Sequence, residues 1–221
     1  QAVMAGGKSA FFRPREGADD EYEEGARTVA RMHPNRRDAF VGVSASGMTP
    51  FVRGGLASAR RAGARIIFVT CDPATELQTF VDITIALGVG PEVIAGSTRL
   101  KAASATKLVL NMLSTAAMVR IGKTYGNLMV DVQSTSEKLK DRAGRIVGIV
   151  TGLDRVGAEK LLKRARWNAK AAIVMEKTGM PYVKALSRLR KAKGLMRDAL
   201  GEDIETHLRG LLSAKGSPTR S

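Results

Sequence analysis

The stretch Asp38-Ala39-Phe40-Val41-Gly42-Val43-Ser44-Ala45-Ser46-Gly47-Met48-Thr49-Pro50 decides the fold. Its first half is an apolar, β-branched run of strand length and its second half a polar loop. The amphipathic stretch Phe51 to Ala62 that follows has helical spacing. Gly63 stops that helix, Arg65 to Thr70 reads as a second buried strand, and Cys71-Asp72-Pro73 turns the chain. Asp82 to Leu87 reads as a third strand. Strands alternating with helices imply a doubly wound parallel α/β sheet, a class whose ligands sit at the strand C-termini.

Working outward, Ser97 or Thr98 is expected to cap a long core helix from Leu100 to Ile121, with Gly122 as its stop. Asn127 to Val132 reads as strand or loop. From Ser136 the pattern is helical, with breaks at Thr151-Gly152, near Trp167-Asn168, at Thr178-Gly179 and around Gly194, which predicts a small C-terminal helical bundle. No internal repeat is expected. The expected domains are residues 1–135, residues 136–201 and a frayed tail over 202–221. The opening, Gln1 to Gly7, reads like the end of a strand, so an upstream segment is expected.

The chain has 221 residues and 44% hydrophobic side chains, enough for one main core and a small second one. The apolar runs Ala39 to Val43, Ile66 to Thr70 and Leu108 to Met112 are shorter than the ~20 residues that span a bilayer, so a cytoplasmic protein with no membrane partner is expected. Cys71 is the only cysteine and His33 and His207 the only histidines, which excludes an internal disulfide framework and leaves no zinc cluster. The net charge of +15 is uneven: residues 1–135 hold 16 basic and 12 acidic side chains, residues 136–221 hold 20 and 9. No aromatic residue interleaves with the basic run Lys184 to Arg197, so the excess reads as a solvated helical face and no nucleic-acid partner is expected.

Ser44, Ser46, Gly47 and Thr49 offer hydroxyls and backbone amides at a helix start, a combination that binds a phosphate dianion without a lysine. Ser97 and Thr98 form a second hydroxyl pair before the next long helix. A serine-hydrolase elbow fails, because Ser46 stands where the second glycine is required. A nucleotide loop at Gly6-Gly7-Lys8-Ser9 fails as well, because Pro14 interrupts the helix it must feed. Glu16, in Arg15-Glu16-Gly17-Ala18-Asp19-Asp20, and Glu92, after Pro91, are the candidate acid–base carboxylates.

Gly42-Val43-Ser44-Ala45-Ser46-Gly47-Met48-Thr49-Pro50-Phe51-Val52 resembles the sugar-phosphate loop of the N-acetylmuramic acid 6-phosphate etherases. Gly90-Pro91-Glu92-Val93, Gly96-Ser97-Thr98-Arg99-Leu100-Lys101 and Tyr125-Gly126-Asn127-Leu128-Met129-Val130-Asp131-Val132 resemble the same family, in matching order and spacing from about Val3 to Leu200. The resemblance implies the SIS (sugar isomerase) fold, homodimers with sites near the subunit interface, and no metal or redox cofactor. It implies cleavage of the lactyl ether of a phosphorylated amino sugar: the proton α to the aldehyde is removed, lactate leaves, and water adds to the alkene. Glu16 inherits the role of protonating the departing ether oxygen and then activating water, while a partner glutamate is expected upstream. Ser44, Ser46, Gly47, Thr49, Glu92, Ser97, Thr98 and Lys101 inherit sugar and phosphate binding. Met48 stands where the family commonly has arginine. A non-catalytic sugar-phosphate-binding regulatory protein of the same fold is the alternative.

Overall fold

Three strands, β1 (Ala39–Val43), β2 (Arg65–Thr70) and β3 (Ile83–Ala86), form a parallel sheet in that order. Register runs from Ala39 opposite Arg65 to Val43 opposite Val69, and from Ile67 opposite Ile83 to Thr70 opposite Ala86. All three strands therefore release the chain at one edge of the sheet. The computed structural model describes residues 1–201 and Ile204; the expected tail over 202–221, His207 included, otherwise lies outside the described residues. The chain divides into two units, Gln1–Met112 and Leu113–Ser221.

In the first unit, α1 (Gly7–Ala10) is a single turn and α2 (Tyr22–Ala30) precedes β1, while α3 (Pro50–Arg61) joins β1 to β2. Ile66 and Phe68 of β2, Leu56 and Ala59 of α3 and Val29 of α2 share one core with Ala64 and Leu77. Two glycines let α2 and α3 touch backbone to backbone. A Cβ on Gly25 would stand 2.0 Å from the Phe51 carbonyl oxygen, and one on Gly54 would stand 2.0 Å from that of Tyr22. Sequence reading did not assign α2, whose buried face is Gly25, Ala26 and Val29.

Two expectations for the rest of this unit are corrected. Gln1 to Gly6 form no strand; the Gly7 amide closes a turn on the Met4 carbonyl and α1 begins at once. The long helix α4 (Lys101–Arg120) starts three residues after Thr98, without a Ser97 or Thr98 cap, and it is no core helix: Ala102 is its one buried residue. Among the described residues α4 alone has the length and mean hydropathy of a membrane span. Lys107, Asn111, Ser114 and Thr115 interrupt its apolar residues, a pattern that hydrocarbon disfavours.

The second unit takes in the end of α4, then the hairpin β4 (Thr124–Tyr125) and β5 (Leu128–Met129), and continues through α5 (Glu137–Thr151), α6 (Arg155–Arg164), α7 (Ala169–Thr178), α8 (Tyr182–Lys191) and α9 (Met196–Leu200). Helix α7 is central, with Ala169 through Met175 all buried. Tyr125, Val130 and Val132 pack into the same core as the helices. The division between the two units falls at Met112/Leu113, inside α4.

An internal repeat, which sequence reading did not find, organises this unit. Thr151, Gly152, Val156, Ala158, Leu162, Ala165 and Ala172 each meet the same residue type 27 positions later. The geometry repeats with them. Thr151 Oγ1 donates to the Val147 carbonyl at 2.7 Å and Thr178 Oγ1 to that of Val174 at 2.6 Å. Gly152 and Gly179 then end their helices in the left-handed region, with φ of 79° and 67°. After α6 and α8 the chain turns through Arg166 and Trp167, or Lys193 and Gly194, again at positive φ. The Trp167 amide closes on the Leu162 carbonyl at 2.8 Å and the Gly194 amide on that of Leu189 at 2.8 Å. Ala158 and Ala185 are fully buried at equivalent places, as are Ala172 and Ala199. The shared signal lies in small residues and turns, and so escapes hydrophobic periodicity.

Two glycine substitutions should act in opposite directions. Gly54→Ala forces a methyl group into the Tyr22 backbone and should cost about 1–3 kcal/mol. Gly144→Ala, inside α5 with nothing within 4 Å of the added carbon, should gain about 0.5–1 kcal/mol. Thermal unfolding of the two variants measures both.

Candidate functional site

The loop after β1 is built from its own hydroxyls. Ser44, 5% exposed, shares a hydrogen bond with Thr49 across 2.7 Å between Oγ and Oγ1, and its Oγ also accepts from the Thr49 amide at 3.5 Å. Ser46, exposed, accepts from the Met48 amide at 3.3 Å. Gly47 has φ of +74°, and its amide closes a turn on the Ser44 carbonyl at 3.2 Å. Gly47 has a second reason to be glycine: a Cβ there would stand 2.6 Å from Thr75 Oγ1. Met48 is 71% exposed and packs on nothing that fixes the loop.

Residues that sequence reasoning missed hold this loop in place. Thr75, buried, donates to the Gly47 carbonyl at 3.1 Å while its Oγ1 caps the turn Glu76–Thr79 by accepting from the Leu77 amide at 3.4 Å. The Cys71 amide and the Thr70 hydroxyl both donate to the Ala45 carbonyl, at 3.0 and 3.4 Å. The loop after β2 thereby braces the loop after β1. Only an alignment of pairs distant in sequence could have shown this.

Helix α3 opens at Thr49 with Pro50 in its first turn, which has no amide hydrogen and fits that position. The Phe51 amide donates to the Asp19 carbonyl at 2.9 Å. This bond fastens the Glu16-Gly17-Ala18-Asp19-Asp20 segment to the mouth of α3, and Ala18 is buried beneath it. Glu16 itself is exposed. With Pro50 lacking a donor, the Phe51 amide committed and the Gly47, Met48 and Thr49 amides already bonded within the loop, an anion at this mouth would meet chiefly the Ser46 and Thr49 side chains. No acidic residue lies in the first turn of α3 to repel it.

Glu92 has a structural task that the sequence did not show. Its carboxylate oxygens accept from the Lys101 amide at 3.0 Å and the Ala102 amide at 2.9 Å, so it caps α4 from nine residues upstream. Lys101 completes the clamp, its ammonium donating to the Pro91 carbonyl at 2.9 Å and to that of Val89 at 3.4 Å. Glu92 and Lys101 therefore hold the loop before α4. The Ala102 amide, then the Lys101 amide, and beyond them the Lys101 charge hold the Glu92 carboxyl below its ordinary value of 4.5. Ser97, half-buried, and Thr98, exposed, lie in the turn this clamp defines.

The loops after β1 and β3 leave the same edge of the sheet, with the Thr70 to Thr75 segment between them. Two strand spacings, about 10 Å, separate β1 from β3. Among the described residues no group of three or more His, Cys, Asp or Glu side chains could hold a metal ion.

The sheet is parallel, with hydroxyl-bearing loops at its strand C-termini, and residues 1–60 match the family model described as the glucokinase regulatory protein N-terminal SIS domain. The chain is thus an α/β protein with a SIS-type domain. It is 51% identical over 200 residues to the N-acetylmuramic acid 6-phosphate etherase of Rubrobacter xylanophilus, covering 90% of this chain and 66% of that protein. It is 46% identical to that of Clostridium botulinum, over 91% of this chain and 67% of the relative, and 45% identical to that of Alkaliphilus metalliredigens with the same coverage. The chain belongs to the N-acetylmuramic acid 6-phosphate etherase family. It spans about two thirds of the length of these relatives.

Thr75→Val keeps the volume but removes the donor to Gly47 and the cap on Leu77. It should cost about 1–3 kcal/mol in thermal unfolding. The Glu92 clamp should be pH-sensitive. Its folded pKa lies below the unfolded value, so its stabilisation is complete at neutral pH and is lost as pH falls below 4.5 through the folded value. NMR amide exchange at Lys101 and Ala102 should quicken in that range, and Glu92→Gln should quicken it already at neutral pH.

Proposed function

We propose that this protein is a carbon–oxygen lyase that cleaves the D-lactyl ether of N-acetylmuramic acid 6-phosphate, giving N-acetylglucosamine 6-phosphate and D-lactate in cell-wall sugar recycling. The observation that carries the reading is the etherase-like sequence on a braced hydroxyl loop: 51% identity across 200 residues, with Ser44, Ser46, Gly47 and Thr49 held at the C-terminal end of β1. The phosphate is received chiefly by the Ser46 and Thr49 hydroxyls at the α3 mouth, where the positive helix end adds to the hydrogen bonds. Buried Ser44 orients Thr49 instead of meeting the ligand directly.

Glu16 acts as the acid that protonates the departing ether oxygen and as the base that then activates water. The Phe51 to Asp19 bond keeps its segment beside the phosphate mouth. Its exposure suits a carboxylate whose pocket is completed by substrate or by another subunit. Ser97 and Thr98 contact the sugar from the β3 side, and the Glu92–Lys101 clamp sets their height above the sheet. The sheet is of the doubly wound type, and the protein works as a cytoplasmic homodimer without a cofactor.

The test is D-lactate release from N-acetylmuramic acid 6-phosphate by the natural gene product. Glu16→Gln should lower kcat by about a hundredfold or more with little change in KM. Thr49→Val should chiefly raise KM. Tight binding of the sugar phosphate with no lactate formed would overturn the enzyme reading and leave the regulatory one.

A further inference from the structure

The helical repeat concentrates most of the charge of the chain. Residues 151–201 carry 13 basic and four acidic side chains, a net of +9 out of +15. The linear run Lys184 to Arg197 reads as a solvated face, but the fold shows that it is one half of a duplicated pattern. Lys163-Arg164-Ala165-Arg166 ends α6, and Arg190-Lys191-Ala192-Lys193 ends α8 at the equivalent place. In each, the last cation sits at positive φ, with φ of 53° for Arg166 and 51° for Lys193, so both corners project from the same kind of turn.

The two corners lie at the two ends of α8. Arg166 lies 5.3 Å over the ring of Tyr182, the first residue of α8, which sets the first corner at that end of the helix. The Lys170 ammonium donates to the Gly194 carbonyl at 3.0 Å, which sets the second corner against the first turn of α7. Helix α8, about 15 Å long, spans the distance between them. Among the described residues Arg164, Arg166, Lys184, Arg190, Lys191 and Lys193 make no ion pair, and all six are exposed. Cations near helix C-termini offset the dipole, but one per end suffices for that; each corner carries three.

We infer that the helical repeat is a docking surface for the phosphate backbone of double-stranded nucleic acid, gripped by these six cations in a sequence-independent way. Unpaired lysines and arginines on a fixed scaffold gain affinity by releasing the counterions condensed on a duplex. Single strands fit less well, because base stacking needs free aromatic faces. Both nearby rings are covered from within, Tyr182 by Arg166 and Trp167 by the Lys140 ammonium at 5.4 Å. An anionic bilayer also fits less well. A helix lying in a membrane surface presents an apolar face beside its cations, whereas the apolar face of α8, with Ala185 and Leu189 buried, is spent on the core and leaves only Val183 outside.

The experiment is fluorescence anisotropy of a labelled duplex of about two helical turns, titrated with the full chain at several salt concentrations. Affinity should fall steeply with salt, with a logarithmic slope of about −3.6 to −5.4 if four to six phosphates are neutralised. Arg166→Glu/Lys191→Glu/Lys193→Glu should weaken binding by roughly tenfold or more and flatten the slope by about 3. Arg36→Glu/Arg37→Glu/Arg61→Glu changes the net charge equally on the first unit and should leave most of the affinity. Circular dichroism of both variants shows whether they are folded; if the corner variant is not, the single changes Arg166→Gln and Lys191→Gln take its place, each flattening the slope by about 1. Equal loss in the control variant, a slope near zero, tighter binding to the matching single strand, or binding to phosphatidylserine vesicles but not to duplex would each overturn the proposal.

Discussion

One backbone hydrogen bond, from the Phe51 amide to the Asp19 carbonyl, joins the two parts of the site that are far apart in sequence. It can form because α2 and α3 cross at glycines, with Gly25 against the Phe51 carbonyl and Gly54 against that of Tyr22. Side chains at either place would push the helices apart and break the link between the acidic segment and the hydroxyl loop. The same bond removes one donor from the mouth of α3, so the anion-binding capacity there rests chiefly on hydroxyls rather than on the helix end alone. The geometry of the site is thus a consequence of helix packing as much as of the residues that line it.

Around that link the loops brace one another. Thr75 and Thr70, after and at the end of β2, fix the Gly47 and Ala45 carbonyls of the loop after β1. Glu92 and Lys101 fix the loop after β3 by exchanging bonds with backbone on each side. A site assembled from three loops on one sheet edge needs this kind of mutual support, because no single loop is stiff. The functional candidates and the bracing residues are of the same chemical types, and Glu92 and Lys101, ligand candidates by sequence, also form a clamp in the structure.

The second unit solves a different problem with a duplicated device. A 27-residue helix–turn–helix element, used twice, buries small residues at equivalent places and turns at equivalent positive-φ corners. Small residues such as Ala158 and Ala185 let helices approach closely, and they leave the outer faces free to carry charge. The excess cations of the chain gather on those faces and corners. Charge and fold are separable here: the core would be the same with fewer lysines and arginines, so their number calls for a partner or a solvation role rather than a folding one.

The amino-acid order alone determined the alternation of strands and helices, since apolar runs such as Arg65 to Thr70 and the amphipathic spacing of Phe51 to Ala62 are local patterns. It also marked the hydroxyl loop and Glu16, because Ser, Thr, Gly and Glu at a strand–helix junction carry their chemistry in their identities. Tertiary structure decided what depends on distant pairs: the covalently remote partners Asp19 and Thr75, the bonds from the first amides of α4 to Glu92, the exposure of α4, and the division into two units. It also decided the repeat, whose shared positions are mostly turns and alanines. Local sequence fixes the conformational preference of a segment, whereas packing fixes which polar groups remain free, and that second property is set only when the chain has closed on itself.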